Sequence, residues 1–234
     1  MIAPLGDTAL VIRVGTQIDE PTRRVVRATV RALEDARLPG AAEVVPGFTT
    51  VTVHYDPARL HMPDDPELTP YDVMRRQVAA VLDGVADGPS DDGNKVEIPV
   101  CYGGDFGPDL EHVASHTGLS EAGVIDLHSM AEYRVHLLGF LPGFPYLGGL
   151  DPRLATPRRD TPRTAVPAGS VGIGGAQTGV YPLESPGGWQ LIGRSPVVLF
   201  DPLRWPPTLL APGDLVQFRA IDRREYDALH RPTT

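Results

Sequence analysis

Thiols, aromatic rings and long apolar runs are all scarce in this chain, and each scarcity removes a class of protein. Cys101 is the single cysteine among 234 residues, so no internal disulfide can form and a reducing, cytoplasmic setting is expected. No run reaches the roughly 18 apolar residues that a membrane-spanning helix needs. The opening MIAPLGDTALVIRV has no basic segment ahead of an apolar one, so no export is expected. Cations are outnumbered, with 21 Lys and Arg against 30 Asp and Glu, and the net charge of −9 gives no global attraction to a phosphate backbone. A nucleic-acid partner is therefore not expected. The sequence also contains no H-E-x-x-H, C-x-x-C or G-x-S-x-G motif.

Glycine and proline, by contrast, are plentiful at 25 each, and they fall in clusters between apolar segments, as tight turns do. The length exceeds the roughly 100 to 200 residues of one domain, which predicts two cores. Thr8 to Val14 and Thr50 to Tyr55 read as strands, the second alternating Val51, Val53 and Tyr55 with polar residues. Between them Val26, Val30 and Leu33 share one helical face, and Arg23, Arg24, Arg27 and Arg31 take the other. Thr69, Pro70 and Asp72 announce a second helix, with Met74, Val78, Val81 and Leu82 as its apolar face. The segment Asp83 to Asn94 has little to bury, and a domain boundary is placed near residue 90.

Beyond it a strand is predicted over Val96 to Tyr102. Two helices follow, one opened by Gly107-Pro108 and one capped by Ser120. Short apolar runs (Val135 to Phe140, Ser170 to Ile173, Gln190 to Ile192, Val197 to Phe200, Leu215 to Phe218) separated by Gly/Pro turns then predict a closed or nearly closed antiparallel sheet. The expected fold class is α+β, an N-terminal α/β domain over 1–90 and a mostly β domain over 91–234.

Three stretches carry candidate chemistry. In LGFLPGFPYLGGL, the rings Phe140, Phe144 and Tyr146 stand on a rigid turn, where they either close the barrel core or present a binding surface. Arg158, Arg159 and Arg163 cluster in PRRDTPR. They suit a carboxylate or a transferred phosphoryl group, or else surface ion pairs. The glycine-rich VPAGSVGIGGAQTGVYP invites a phosphate-cradle reading but misses both mechanistic templates. Val180 and Tyr181 stand where a P-loop needs Lys and Ser/Thr, and Gln177 stands where a dinucleotide fingerprint needs glycine. What remains is Gln177, Tyr181, Trp189 and Arg194 as polar side chains able to converge on a pocket, with Gln177 suited to an amide ligand. His136 alternates within its strand as a barrel histidine and stands with Gln177 and Tyr181 as a catalytic candidate. His112 and His116, four apart on a helix, read as solvated, so no metal centre is expected. Cys101 reads as a small buried hydrophobe.

Taken in order, VPGFTTVTVHYDP, IPVCYGGDFGPDL, LGFLPGFPYLGGLDPRLATPRRDTPR, VPAGSVGIGGAQTGVYPLESPGGWQLIGR and PGDLVQF resemble the B-subunit family of 5-oxoprolinase, also called allophanate hydrolase subunit 1 or KipI-like. The resemblance implies a small ferredoxin-like N-terminal domain and a cyclophilin-like β-barrel. It implies ATP-dependent opening of 5-oxoproline to glutamate, with ATP as cofactor in the assembled complex, with or without magnesium. It also implies two partners, the KipA-like C component (allophanate hydrolase subunit 2) and a separate A component.

Within that picture Arg158, Arg159, Arg163 and Arg194 are candidates for phosphoryl oxygens. Gln177, Tyr181 and the backbone amides of Gly174 and Gly175 are candidates for a developing oxyanion. Two alternatives accompany it: an allophanate hydrolase or urea-carboxylase-type subunit, and a histidine-kinase inhibitor docking through Phe140 to Tyr146. On the inhibitor reading, Phe144→Asp is expected to abolish kinase binding and leave folding intact. A peptidyl-prolyl isomerase rests on fold analogy alone.

Overall fold

The computed structural model describes all residues except 18, 66, 85–92 and 231–234. It divides into two compact units, Met1–Asp91 and Asp92–Thr234. The boundary expected near residue 90 lies outside the described residues.

In the first unit, β1 (Ile2–Pro4), β2 (Ala9–Arg13), β4 (Thr50–Tyr55) and β3 (Ala41–Pro46) form an antiparallel sheet in the order β1-β2-β4-β3. Helix α1 (Glu20–Ala36) joins β2 to β3, and β4 inserts between them, the split β-α-β of a ferredoxin-like domain with β1 on the outer edge. Asp19 caps α1 by accepting from the Thr22 N–H at 2.8 Å. Helix α2 (Pro70–Leu82) begins with a full capping box, Thr69 and Asp72 each satisfying the other's backbone N–H. The alternation in β4 buries Val51, Val53 and Tyr55 against Val26, Leu33, Met74 and Val78. Each such side chain contributes about 1.5–3 kcal/mol on burial. Arg23, expected on the open face of α1, is instead only 6% exposed.

The second unit closes a barrel in the order β10-β7-β6-β13-β5-β12-β9. Its strands are β5 (Lys95–Tyr102), β6 (Glu132–Leu138), β7 (Pro145–Gly148), β9 (Ser170–Gly174), β10 (Gln177–Val180), β12 (Gln190–Arg194) and β13 (Leu215–Ile221). A separate ribbon pairs β8 (Arg163–Val166) with β11 (Ser185–Gly187). All pairs are antiparallel except β5 with β13, which run parallel from Leu215↔Lys95 to Ile221↔Cys101. The barrel is filled by Ile98, Val100, Tyr133, Val135, Val171, Ile173, Ile192 and Phe218. Helices α3 (Leu110–Thr117) and α4 (Glu121–Met130) pack on it through Leu110, Val113 and Val124, and α5 (Arg223–Leu229) is the last element. The expected strand at Val197 to Phe200 is not one: only an isolated bridge, Phe200 to Thr208, forms there. No helix among the described residues is long and apolar enough to cross a membrane.

Candidate functional site

Strands β6, β7, β10 and β9 form one stretch of barrel wall, and alternation sends different chemistry to its two faces. Val135, Leu147, Thr178 and Ile173 face inward and are buried. Outward, Thr178 opposite Leu147 puts Gln177 opposite Gly148, with Gly174 next across the β9–β10 hairpin. A bulge between Val135 and Leu137 turns His136 onto this face, where its ring lies over Gly148 so closely that any Cβ there would collide with it. His136 and Gln177 thus flank one glycine.

From Gly174 along the same face to Gly172 and Gly179, the glycines make a bed for Trp189. A Cβ at Gly174 would stand 2.5 Å from indole Cδ1 and Nε1, one at Gly172 would stand 3.1 Å from Trp189 Cβ, and one at Gly179 would stand 3.2 Å from Cζ3. The indole, Phe144 and Tyr181 meet edge to face at 5.3–6.3 Å and form, with Val166 and Leu191, a second small core on the outside of the barrel. Phe140, held at φ 68°, packs its ring edge-on against Phe144 at 5.6 Å and is 62% exposed.

Beside these rings is a cleft of about 250 Å³ lined by Phe140, Phe144, Tyr146, Tyr181, Trp189 and Arg158. The Arg158 guanidinium stands 5.8 Å above the Trp189 ring. Arg158 also lines a wider groove of about 540 Å³, together with Arg159, His112, His116, Gln190 and Asp109. The groove is organised by Asp109, which is 5% exposed. Its Oδ1 accepts from Arg163 at 2.7 Å and Arg159 at 3.2 Å, and its Oδ2 from the Leu191 backbone N–H at 2.7 Å. One carboxylate therefore ties the start of α3, the arginine loop and β12 together. Gln190 adds a bond from Nε2 to the Pro157 carbonyl at 2.9 Å. Asp109, Gln190 and the groove-facing position of His112 and His116 were not legible as site features. The partners of Asp109 lie 50 and 54 residues away, with no local spacing to mark them.

Of the expected residues, Arg158, Arg159, Arg163, Trp189, Phe140, Phe144, Tyr146 and Tyr181 come together, and Gln177 and His136 share the adjoining outer face. Arg194 does not join them. Its guanidinium lies 5.1 Å over Phe106, whose ring also receives Arg223 at 4.5 Å, because it projects from the far end of β12. Gly174 and Gly175 are not a cradle: Gly174 is covered by Trp189, and the Gly175 N–H already donates to the Thr156 carbonyl at 2.8 Å. Tyr181 is 2% exposed. Burial pushes its hydroxyl pKa up, against a smaller opposing effect of a backbone bond from Trp189, so it stays protonated at neutral pH. Phe144 is 2% exposed, so Phe144→Asp cannot leave folding intact, and Phe140 is the ring that faces outward. Cys101 is half-buried, and desolvation pushes its thiol pKa up, away from nucleophile chemistry. Among the described residues no group of three or more His, Cys, Asp or Glu is placed to hold a metal.

Residues 1–210 match the carboxyltransferase domain, subdomain C and D, family. The chain is 48% identical to the B subunit of 5-oxoprolinase from Bacillus subtilis (strain 168) over 229 residues, 97% of this chain and 95% of that protein. Among solved structures, TTHA0988 superposes with a TM-score of 0.77 at 39% identity over 95% of this chain, which spans only 40% of that longer chain. The Kluyveromyces lactis urea carboxylase superposes with a TM-score of 0.79 at 20% identity, over 97% of this chain and 22% of that protein, a likeness of fold alone.

Proposed function

The chain belongs to the carboxyltransferase domain, subdomain C and D, family, and from that premise we propose that it is the B-type subunit of an ATP-dependent 5-oxoprolinase. The observation that carries this reading is the 48% identity to a 5-oxoprolinase B subunit across nearly the full length of both chains. The site's chemistry supports it. A lactam resists water until its amide oxygen is phosphorylated, after which water can add to the carbon and the ring C–N bond can break.

Such a site needs a cation for phosphoryl oxygens, and the groove supplies Arg159, with Arg163 behind it on Asp109 and Arg158 at the border with the aromatic cleft. It needs a donor for the developing oxyanion and a group to take a proton from water. Gln177, opposite Gly148 in register, and His136, whose ring lies over Gly148, are the candidates for these two roles on the adjoining face. The arginines of the groove support a phosphate-bearing ligand held without a P-loop. ATP supplies the phosphoryl group, and a cytoplasmic complex with the KipA-like C component and the A component completes the enzyme.

The test is co-expression with those partners. The isolated chain is expected to be inactive, and the complex to hydrolyse ATP only when 5-oxoproline is present. A complex that turns over allophanate and ignores 5-oxoproline overturns the reading in favour of the urea-processing alternative.

A further inference from the structure

We infer that the aromatic cleft beside Trp189 is the subsite for a small flat ring bearing a carboxylate, with Arg158 as the residue that binds the carboxylate. The inference rests on the 5-oxoprolinase reading and divides the site that reading leaves whole.

Three observations carry it. The first is the state of the arginines. Arg163 and, through one terminal nitrogen, Arg159 are paired with Asp109, whereas no carboxylate lies within ion-pair distance of Arg158 among the described residues. Its guanidinium stands 5.8 Å over the face of Trp189, and no hydrogen bond among the described residues occupies its N–H fork, the group that pairs with a carboxylate through two parallel bonds.

The second is the size and lining of the cleft. At about 250 Å³ it falls below the roughly 300–1,000 Å³ of drug-sized pockets, and aromatic rings line it together with Pro162, Pro186 and a Gly187–Gly188 backbone. Phe144, Tyr181 and Trp189 lock one another edge to face, so the cleft is preformed. A small planar amide ring fits such walls, while a nucleotide is too large for them.

The third is that Arg158 lines both cavities, so a carboxylate on it brings the ring to the boundary of the groove where Arg159 stands. Binding at Arg158 and phosphoryl stabilisation at Arg159 thus become separate tasks of adjacent residues.

The experiment uses the reconstituted complex, with wild type and Arg158→Gln compared under separate variation of 5-oxoproline and ATP. The expected result is a KM for 5-oxoproline raised about tenfold or more, with the KM for ATP within about twofold of wild type. The melting temperature should not move, because the side chain is exposed. 2-Pyrrolidinone, the same ring without its carboxylate, should inhibit both forms equally. A merely structural role for Arg158 would weaken both ligands together.

An Arg158→Gln complex with an unchanged KM for 5-oxoproline overturns the inference while the 5-oxoprolinase reading stands. So does a variant whose affinity for 2-pyrrolidinone falls as far as that for 5-oxoproline. A wild-type complex with no 5-oxoproline-dependent ATP hydrolysis removes the reading, and the inference with it.

Discussion

The two faces of the barrel wall formed by β6, β7, β10 and β9 put the same residue types to opposite uses. Inside, His128 is fully buried at the end of α4, and both its ring nitrogens and its backbone carbonyl have partners. The Thr178 hydroxyl donates to the Gly172 carbonyl at 3.0 Å, so it accepts from His128 Nε2–H at 2.9 Å, and Nδ1 accepts from the Tyr102 hydroxyl at 2.8 Å. That network assigns a neutral Nε2–H tautomer. Desolvation agrees, holding the His128 pKa down at about 3.

Outside, His136 is half-buried at a bulge, and rings and guanidinium groups sit on strands stripped to glycine. A closed interior can be satisfied by its own side chains. The outer face, with a cleft and a groove left open beside it, retains capacity for a ligand.

The contrast can be broken most forcefully at the Phe140 turn. Phe144→Asp places a carboxylate in the outer aromatic core and is expected to destabilise the chain by about 4 kcal/mol or more, whereas Phe140→Asp should cost less than about 0.5 kcal/mol. Urea unfolding of the two variants checks this. Equal losses would mean that the outer cluster is not a core.

Asp109 offers the next largest effect. Asp109→Asn leaves Arg163 partly buried without its counter-charge and Arg159 without its anchor. A loss of about 3 kcal/mol is expected, most of it from Arg163, since Arg159 is exposed enough for water to screen it. Denaturant midpoints of Asp109→Asn and Arg159→Gln should therefore differ, with the carboxylate variant much the less stable.

The smallest effect belongs to the interior histidine and appears only in acid. The native state keeps His128 neutral down to about pH 3, while the unfolded chain takes up its proton near 6.5. Stability is thus fully present above about pH 6.5 and drains as the pH falls toward 3, by about 2 kcal/mol at pH 5. In His128→Gln the slope of unfolding free energy against pH between 5 and 6.5 should flatten by about one proton. An unchanged slope would show that the interior imidazole is not the group titrating.

Much of the architecture could be read in one dimension. Asp72 in a capping box with Thr69, Ser120 ahead of α4, and the Val51–Val53–Tyr55 alternation are local patterns whose physics is complete within a few residues. The strands that escaped are β1, β3, β7, β8, β10 and β11, and all but β3 have four residues or fewer. Most of those in the barrel unit are rich in glycine or proline, so their propensity says turn while the ladder of a neighbour makes them strand. The site divides the same way. The residue types were visible in PRRDTPR and in the glycine-rich block, as was the failure of both phosphate-loop templates.

Composition and local pattern alone determined two cores, an acidic chain without a disulfide framework, capped helices, and a set of rings and arginines with no motif to explain them. Tertiary structure decided which of those side chains meet. It sent Arg194 to Phe106, made the glycines a bed for Trp189, and joined Asp109 to arginines 50 and 54 positions away. The reason is physical: capping and alternation act over one turn or one pleat, whereas barrel closure and the pairing of a buried charge depend on residues brought together only when the whole sheet has formed.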